Sequence, residues 1–435
     1  MTALRQLFGT DGVRGVAGVD LTEELARELG AAAAASAGPG ARVVIGRDTR
    51  ESGPMLEEAL VEGVVSAGGR ALRAGVIPTP GVAVLTRLEG AERGCVISAS
   101  HNPYEDNGIK FLGPDGRKLD DAAEAAIGSA MASPASADGG GDGVLADAAA
   151  TYASWLSLTY AADVPDVPVV LDCANGAAHA VAPAVFSTSG TVVRTIGAEP
   201  DGRNINAGVG STHLDAVSAA VRGSGAVAGF AFDGDADRCL AVDPDGRPVN
   251  GDGIIAAIAL ARGVERVVVT SMTNLGFHRL MREHGVAVDV TDVGDRYVLE
   301  RMLETGAALG GEQSGHVVDL AHHTTGDGIA TALMLLAAID RLGISMREAA
   351  GLVQPFPQKL VAVAADRSAL EGADRVWQEV RAAEAKLGTD GRVVLRASGT
   401  EPVVRVMVEA ADAAECGRLC DHLADVVAAE IGGPG

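Results

Sequence analysis

Short β-branched runs alternate with longer helical stretches along most of this chain, and that alternation restricts it to a layered α/β architecture. The runs 42–48 (RVVIGRD) and 71–77 (ALRAGVI) flank a helical stretch, and 95–100 (CVISAS) comes after another. The pattern returns at 167–176 (VPVVLDCANG), 229–235 (GFAFDGD), 266–272 (RVVVTSM) and 286–294 (VAVDVTDVG). Strands separated by helices pair mostly in parallel. Asp20 with Glu23 resembles a capping box opening the first helix. The Gly-rich stretch 131–144 reads as an exposed loop, and 145–160 as a helix leading into a second unit. A third unit begins near Gly251, and the two prolines of 354–358 (QPFPQ) mark another boundary.

The rhythm then changes. Lys359 to Ala365 reads as a strand, Ser368 to Lys386 as a helix, 392–397 and 403–409 as two strands, and 411–431 as a helix. That β-α-β-β-α order implies a separate α+β domain with an antiparallel sheet. A chain of 435 residues is too long for one core. The expected fold is three α/β domains with mixed, mostly parallel sheets plus a C-terminal α+β domain. Their boundaries fall at 1–155, 156–250, 251–356 and 357–435. The shared rhythm of the first three hints at internal duplication.

A net charge of −23 without a long Lys/Arg run excludes nucleic acid and anionic membranes as natural partners. A small anionic substrate stays open if arginines gather locally. No apolar stretch reaches a membrane span, and the N-terminus lacks the pattern of a signal peptide. Five scattered cysteines with no CxxC read as reduced thiols packed as small apolar groups, in keeping with a cytoplasmic protein.

Two motifs carry the chemistry. Residues 98–103 (SASHNP) end a strand in a turn with two hydroxyls, Ser98 and Ser100, and Lys110 follows in 104–111 (YEDNGIKF). The C-terminal end of a strand is where α/β domains place chemistry. Neighbouring side chains such as Ser100 and His101 rarely face one another, and no GxSxG elbow is present. Asp233, Asp235 and Asp237 alternate in 233–238 (DGDADR). Carboxylates this close repel unless a cation sits among them, and oxygen-only ligands suit Mg²⁺. An EF-hand is rejected, because Arg238 stands at the sixth loop position and Pro244 at the twelfth. The bland alternatives are a capped Asn-Pro turn and a solvated acidic hairpin. A serine nucleophile beside a carboxylate metal loop points to phosphoryl transfer through a phosphoserine.

Three further segments fit a phosphosugar. Arg396, Ser398, Gly399 and Thr400 in 396–402 (RASGTEP), followed by Arg405, form an anion nest between strands. Glu312, Ser314 and His316 in 310–316 (GGEQSGH) are short polar groups suited to sugar hydroxyls. The glycine-rich loop 9–15 (GTDGVRG) is not a P-loop, and its Arg14 either reaches a site or ties down the terminus.

Together these motifs resemble the α-D-phosphohexomutase superfamily, most closely the bacterial phosphoglucosamine mutases. The match runs almost end to end, and 200–206 (PDGRNIN), 293–298 (VGDRYV) and 324–329 (TTGDGI) strengthen it. The resemblance implies a central cleft to which each domain contributes a loop. It implies Ser100 as the phosphorylated residue, which also supplies a metal ligand beside Asp233, Asp235 and Asp237. Arg238, Glu312 and Ser314 are implied for the sugar, and Arg396, Ser398, Gly399, Thr400 and Arg405 for the resting phosphate. Lys110, Arg14 and His316 are candidates for acid–base work by position. The implied reaction interconverts glucosamine 6-phosphate and glucosamine 1-phosphate through a hexosamine 1,6-bisphosphate, in amino-sugar and cell-wall precursor synthesis. A related mutase acting on glucose or mannose phosphates, a phosphatase and a non-catalytic phosphosugar-binding protein are the competing readings. A homodimer is compatible with the sequence.

Overall fold

Continuous apolar runs become strands covered on both faces. Val43, Val44 and Ile45 are fully buried, as are Val169 to Leu171 and Val267 to Val269. The computed structural model describes residues 12–131, 137, 139–188, 193–398 and 403–432. Among these, four sheets form in chain order, and the fold consists of four α/β domains, the first three with mixed sheets and the fourth with an antiparallel one.

The first sheet contains β1 (Val13–Val16), β2 (Arg42–Arg47), β3 (Arg70–Val76), β4 (Arg93–Ile97), β5 (Asp106–Leu112) and β6 (Gly141–Val144), in the order β1-β5-β4-β2-β3-β6. Strands β2, β3, β4 and β6 are parallel, whereas β5 runs antiparallel to β4 and β1. The second sheet holds β7 (Val169–Asp172), β8 (Val193–Ile196), β9 (Ala228–Phe232), β10 (Cys239–Val242) and β11 (Pro248–Val249). Its parallel core β8-β7-β9 ends in the antiparallel pairs β9/β10 and β10/β11. In the third, β12 (Arg266–Thr270) pairs in parallel with β13 (Ala287–Thr291) and β14 (Leu309–Gly311), and β15 (Val317–Asp319) closes antiparallel on β14. The fourth is wholly antiparallel: β16 (Gln358–Ala364) and β17 (Gly391–Ala397) flank β18 (Val403–Ala410). Each sheet contains an antiparallel pair of strands consecutive in the chain, β4/β5, β9/β10, β14/β15 and β17/β18. The four motif loops are the connections at these reversals.

The structure corrects four sequence expectations. Thr22, not Asp20, caps the first helix: its Oγ1 accepts from Leu25 N, while Asp20 Oδ2 accepts from Val16 N at 3.1 Å. Residues 141–144, expected as loop, form edge strand β6, because backbone pairing to β3 needs no apolar side chains. Val13–Val16 is a strand rather than part of a loop, pairing with β5 so that Arg14 lies opposite Gly108. The helix expected from Ser368 begins only at Asp374, because Asp366 draws Ser368 into a separate 3₁₀ turn. All five cysteines are buried free thiols. No helix among the described residues is long and apolar enough to cross a membrane.

Two compact units emerge from the packing. One comprises the chain up to Thr270 and His284–Leu352, and the other Ser271–Glu283 and the chain from Val353 onward. The second unit centres on Glu409, which is fully buried on β18. Its carboxylate accepts from Arg392 Nε at 2.9 Å, Asn274 Nδ2 at 3.1 Å and Leu275 N at 3.1 Å. These bonds fasten the helix Leu275–Glu283 to the C-terminal sheet. Glu409→Ala takes that acceptor from a half-buried guanidinium and a helix N-terminus. It should destabilise the C-terminal unit by about 3 kcal/mol. Hydrogen exchange at the β18 amides under increasing denaturant measures this, and unchanged protection would contradict it.

Candidate functional site

The β9/β10 reversal packs three carboxylates into a buried turn. Asp233 and Asp235 are completely buried and Asp237 is 8% exposed, so the solvated acidic hairpin is ruled out. One oxygen from each lies within 4.8 Å of the others. The turn is tight: Ala236 takes a left-handed φ of 56°. Gly234 is required by close approach, since a Cβ there would meet Ser100 O at 2.5 Å. Burial, followed by the charges of Asp237 and Asp235, pushes the Asp233 carboxyl well above its ordinary range. Arg238 and the hydroxyl of Ser100 oppose that rise. Asp237 Oδ1 has no hydrogen-bond partner among the described residues. Oxygen-only donors, buried, crowded and short of protons, fit a small divalent cation such as Mg²⁺.

Ser100 faces this cluster. It is 2% exposed, has φ 52°, and its Oγ donates to Asp233 Oδ2 at 2.6 Å. Ser98 has a different task. Its Oγ donates to Asp48 Oδ2 at 2.7 Å and accepts from Ser100 N at 2.9 Å. Lys110 projects from β5 with only 5% of its surface exposed, and Nζ donates to Asp235 Oδ2 at 3.1 Å. Contrary to the expectation for chain neighbours, His101 Nδ1 lies 3.3 Å from Ser100 Oγ. The left-handed backbone at Ser100 brings the two side chains together. Burial lowers the His101 pKa, and Arg238 and Arg14 lower it further, so the ring is held neutral. Arg14 therefore lies within electrostatic reach of the serine loop.

Arg238 N donates to Asp233 Oδ1 at 3.2 Å. Burial alone would lower its guanidinium pKa, but Asp237, Asp233 and Glu312 outweigh burial and raise it. That link brings the β14/β15 loop into the cluster. Glu312 accepts from Gly294 N at 3.1 Å and Ser314 Oγ at 3.3 Å. His316 is 3% exposed, sits under Gly326, and has no hydrogen-bond partner on either ring nitrogen among the described residues. The two loops are also tied through backbone, with Cys239 N donating to Gly315 O at 3.0 Å and Gly328 N to Ala236 O at 2.9 Å.

Asp327 caps the helix Gly328–Leu342 behind the metal loop. Its carboxylate accepts from Ala330 N at 2.9 Å and Tyr152 OH at 2.8 Å, with His323 Nε2 at 3.5 Å. Burial holds His323 neutral, with a pKa lowered to about 3. His322 is exposed, and its Nδ1 lies 2.9 Å from Asp319 Oδ2.

In the second unit, Arg396 on β17 lies directly across from Arg405 on β18. Both are half-buried, and Ser398 closes the strand end through a bond from its N to Val403 O at 2.9 Å. Gly399 and Thr400 lie outside the described residues.

Sequence reasoning missed several contributors. Thr79 Oγ1 donates to Asp235 Oδ2 at 2.6 Å. Asp48, Arg50 and Asn206 surround the serine loop. A signal existed for two of them: Asp48 directly follows β2, and Thr79 comes just after β3, both at C-terminal strand ends.

Comparison with known proteins agrees with the four-domain fold. Phosphoglucomutase/phosphomannomutase alpha/beta/alpha domains I, II and III match residues 5–138, 152–246 and 250–356, and the C-terminal domain of that family matches 359–426. The chain is 49% identical to a phosphoglucosamine mutase of Mycobacterium marinum, covering 98% of this chain and 99% of that one. It is 46% identical to one from Desulforamulus reducens, again over 98% and 99%. A crystal structure of a phosphoglucomutase/phosphomannomutase family protein from Burkholderia thailandensis superposes with a TM-score of 0.84 at 25% identity, covering 98% of both chains.

The support behind the metal loop should titrate. Burial raises the Asp327 carboxyl to about 6 despite its hydrogen bonds. The folded state then holds this proton more tightly than the unfolded state, whose carboxyl titrates near 3.8. The resulting loss of stability is absent below about pH 4 and complete above about pH 6. Asp327→Asn should flatten the wild-type decline in thermal midpoint across that window. An identical pH profile for the two proteins would exclude this role.

Proposed function

We propose, because the chain belongs to the phosphoglucomutase/phosphomannomutase family of α-D-phosphohexomutases, that it is the mutase interconverting glucosamine 6-phosphate and glucosamine 1-phosphate. The observation that carries the reading is the bond from Ser100 Oγ to Asp233 beside Asp235, Asp237 and Lys110. Phospho-Ser100 carries the group to be transferred. A sugar hydroxyl oxygen attacks its phosphorus, the P–Oγ bond breaks, and the hydroxyl proton leaves to a base. The product of that step is a hexosamine 1,6-bisphosphate. After it turns over in the site, Oγ of Ser100 attacks the other phosphorus, the bond from that phosphorus to the sugar oxygen breaks, the serine proton passes through a base to the departing sugar oxygen, and phospho-Ser100 is restored.

Asp233, Asp235 and Asp237 would hold one Mg²⁺, whose charge offsets that of the transferring phosphoryl group. Lys110 supplies a fixed positive charge at the same place. His101, held neutral beside Ser100 Oγ, and His316 each offer a ring nitrogen for proton transfer. Glu312 and Ser314 read sugar hydroxyls, and Arg238 orients the sugar from the metal-loop side. Arg396, Ser398, Gly399, Thr400 and Arg405 clamp the phosphate that is not reacting, since guanidinium groups and backbone amides suit a dianion. The four domains would divide at 1–155, 156–250, 251–356 and 357–435.

Active enzyme should carry phosphate on Ser100 by intact mass and peptide mapping. Ser100→Ala should lose turnover by roughly a thousandfold or more. Excess chelator should abolish activity and added Mg²⁺ restore it. Phosphate mapped to Ser98, or full turnover in chelator, would overturn the mechanism.

Sugar reading and phosphate reading should separate by mutation. A charge-assisted phosphate contact contributes about 1.5–3 kcal/mol, or roughly ten- to a hundredfold in binding. Arg405→Ala should therefore raise KM for glucosamine, glucose and mannose phosphates alike. Glu312→Ala should instead change their ranking in kcat/KM, with the wild type favouring glucosamine phosphate. The reverse pattern would show the two loops to be wrongly assigned.

A further inference from the structure

Arg50 is completely buried. All its donors are engaged. Nε donates to Asp48 Oδ2 at 2.8 Å. Nη1 donates to Pro103 O and, at 3.0 Å, to Asp106 O. Nη2 donates to Ser100 O at 2.9 Å and Asn102 O at 3.0 Å. Three carbonyls of the serine loop and that of Asp106 thus converge on one planar fork. Asp48 completes the frame from the other side, since it accepts from Arg50 N at 3.0 Å and from Ser98 Oγ, which in turn holds Ser100 N.

A second clamp arrives from the next domain. Asn206, itself left-handed at φ 58° and 6% exposed, donates through Nδ2 to the same two carbonyls, Ser100 O at 2.9 Å and Asn102 O at 3.1 Å. Ser100 therefore has its N–H held by Ser98 and its carbonyl held by both Arg50 and Asn206. A serine at φ 52° is in a backbone conformation that L residues disfavour. The neighbouring contacts must over-determine it to keep it there.

We infer that Arg50 and Asn206 are positioning residues. They hold Ser100 in its left-handed conformation so that Oγ is presented to Asp233. The competing explanation is a buried ion pair that stabilises the domain junction. The direction of the donors favours positioning, because three of the five guanidinium bonds end on the loop that carries Ser100 and a fourth on Asp106, where β5 begins. Lysine cannot replace this fork, since its ammonium has three donors and no planar geometry. The inference rests on the reading of Ser100 as the phosphoryl carrier.

The test compares wild type, Arg50→Lys and Asn206→Ala in the full chain with Mg²⁺. Thermal midpoint reports folding, kcat and KM are measured on glucosamine 6-phosphate, and the rate of Ser100 phosphorylation by glucose 1,6-bisphosphate is followed by intact mass. Misplacing a reacting group by about 1 Å can cost roughly a hundredfold in rate. Both variants should lose about ten- to a hundredfold in kcat with KM within about threefold of wild type. Ser100 phosphorylation should slow in parallel, and amide exchange at 98–106 should quicken. If Asn206→Ala folds and phosphorylates Ser100 at the wild-type rate, the positioning role is refuted, whether or not Arg50→Lys folds. Arg50→Lys with wild-type kcat refutes it equally. A wild-type enzyme that takes no phosphate on Ser100 overturns the functional reading instead. Faster exchange at 98–106 in the variants would then still establish the clamp, and unchanged exchange would remove it.

Discussion

Repulsion among Asp233, Asp235 and Asp237 is the constraint on which the rest of the site depends. Two unit charges about 4 Å apart near a protein surface interact by about 4 kcal/mol, so three buried carboxylates cannot be left uncompensated. The fold answers with near neighbours of opposite character. Lys110 and Thr79 donate to Asp235, Ser100 and the Arg238 amide donate to Asp233, and the Arg238 guanidinium lies beside Asp237. Two cationic side chains against three carboxylates still leave a net negative charge. Burial first, and then the charges of Asp237 and Asp235, raise the Asp233 carboxyl above its ordinary range. A divalent cation would reverse the sign and suit the site to the phosphoryl group proposed for it.

Topology explains why four distant sequence segments carry comparable loops. Each of the first three sheets has a parallel core that ends in an antiparallel reversal, and the fourth is antiparallel throughout. A parallel crossover sends the chain through a helix to the far end of the sheet. A reversal instead returns it at once, leaving a short loop pinned by ladder bonds on both sides. Residues 98–105, 233–238 and 312–316 owe their precise placement to that construction. Residues 312–316 and 233–238 are further stitched by Cys239 N to Gly315 O, a close contact that leaves no room for a side chain at Gly315.

Much of this was legible in the chain. SASHNP and DGDADR stand out because each interrupts an apolar strand with polar residues that a core would not tolerate. The strand runs of the C-terminal domain were placed within a residue or two, since their period and turn residues agree. The failures have two causes. The left-handed backbone at Ser100 and the edge strand at Gly141 depend on partners far along the chain or on backbone pairing that composition does not encode, whereas the cap at Thr22 is local, and Asp20 is drawn to Val16 N instead. Arg50 and Asn206 contact the serine loop across 50 and 106 residues respectively. Nothing local distinguishes Arg50 from an exposed arginine after a strand.

The bond between Ser100 and Asp233 has a further physical consequence. A serine hydroxyl donates its proton to the carboxylate, but a phosphoserine has no such proton to give. Phosphorylation would thus remove the donor that now satisfies Asp233 and place roughly two negative charges beside three carboxylates. Lys110 is already bound to Asp235 and Arg238 lies on the Asp237 side, so each offsets only part of that charge. A divalent cation held among the aspartates would offset that charge. Binding of such a cation and phosphorylation of Ser100 would then be linked, each strengthening the other by the same free energy. Without the phosphate, the Ser100 hydroxyl proton satisfies Asp233 instead.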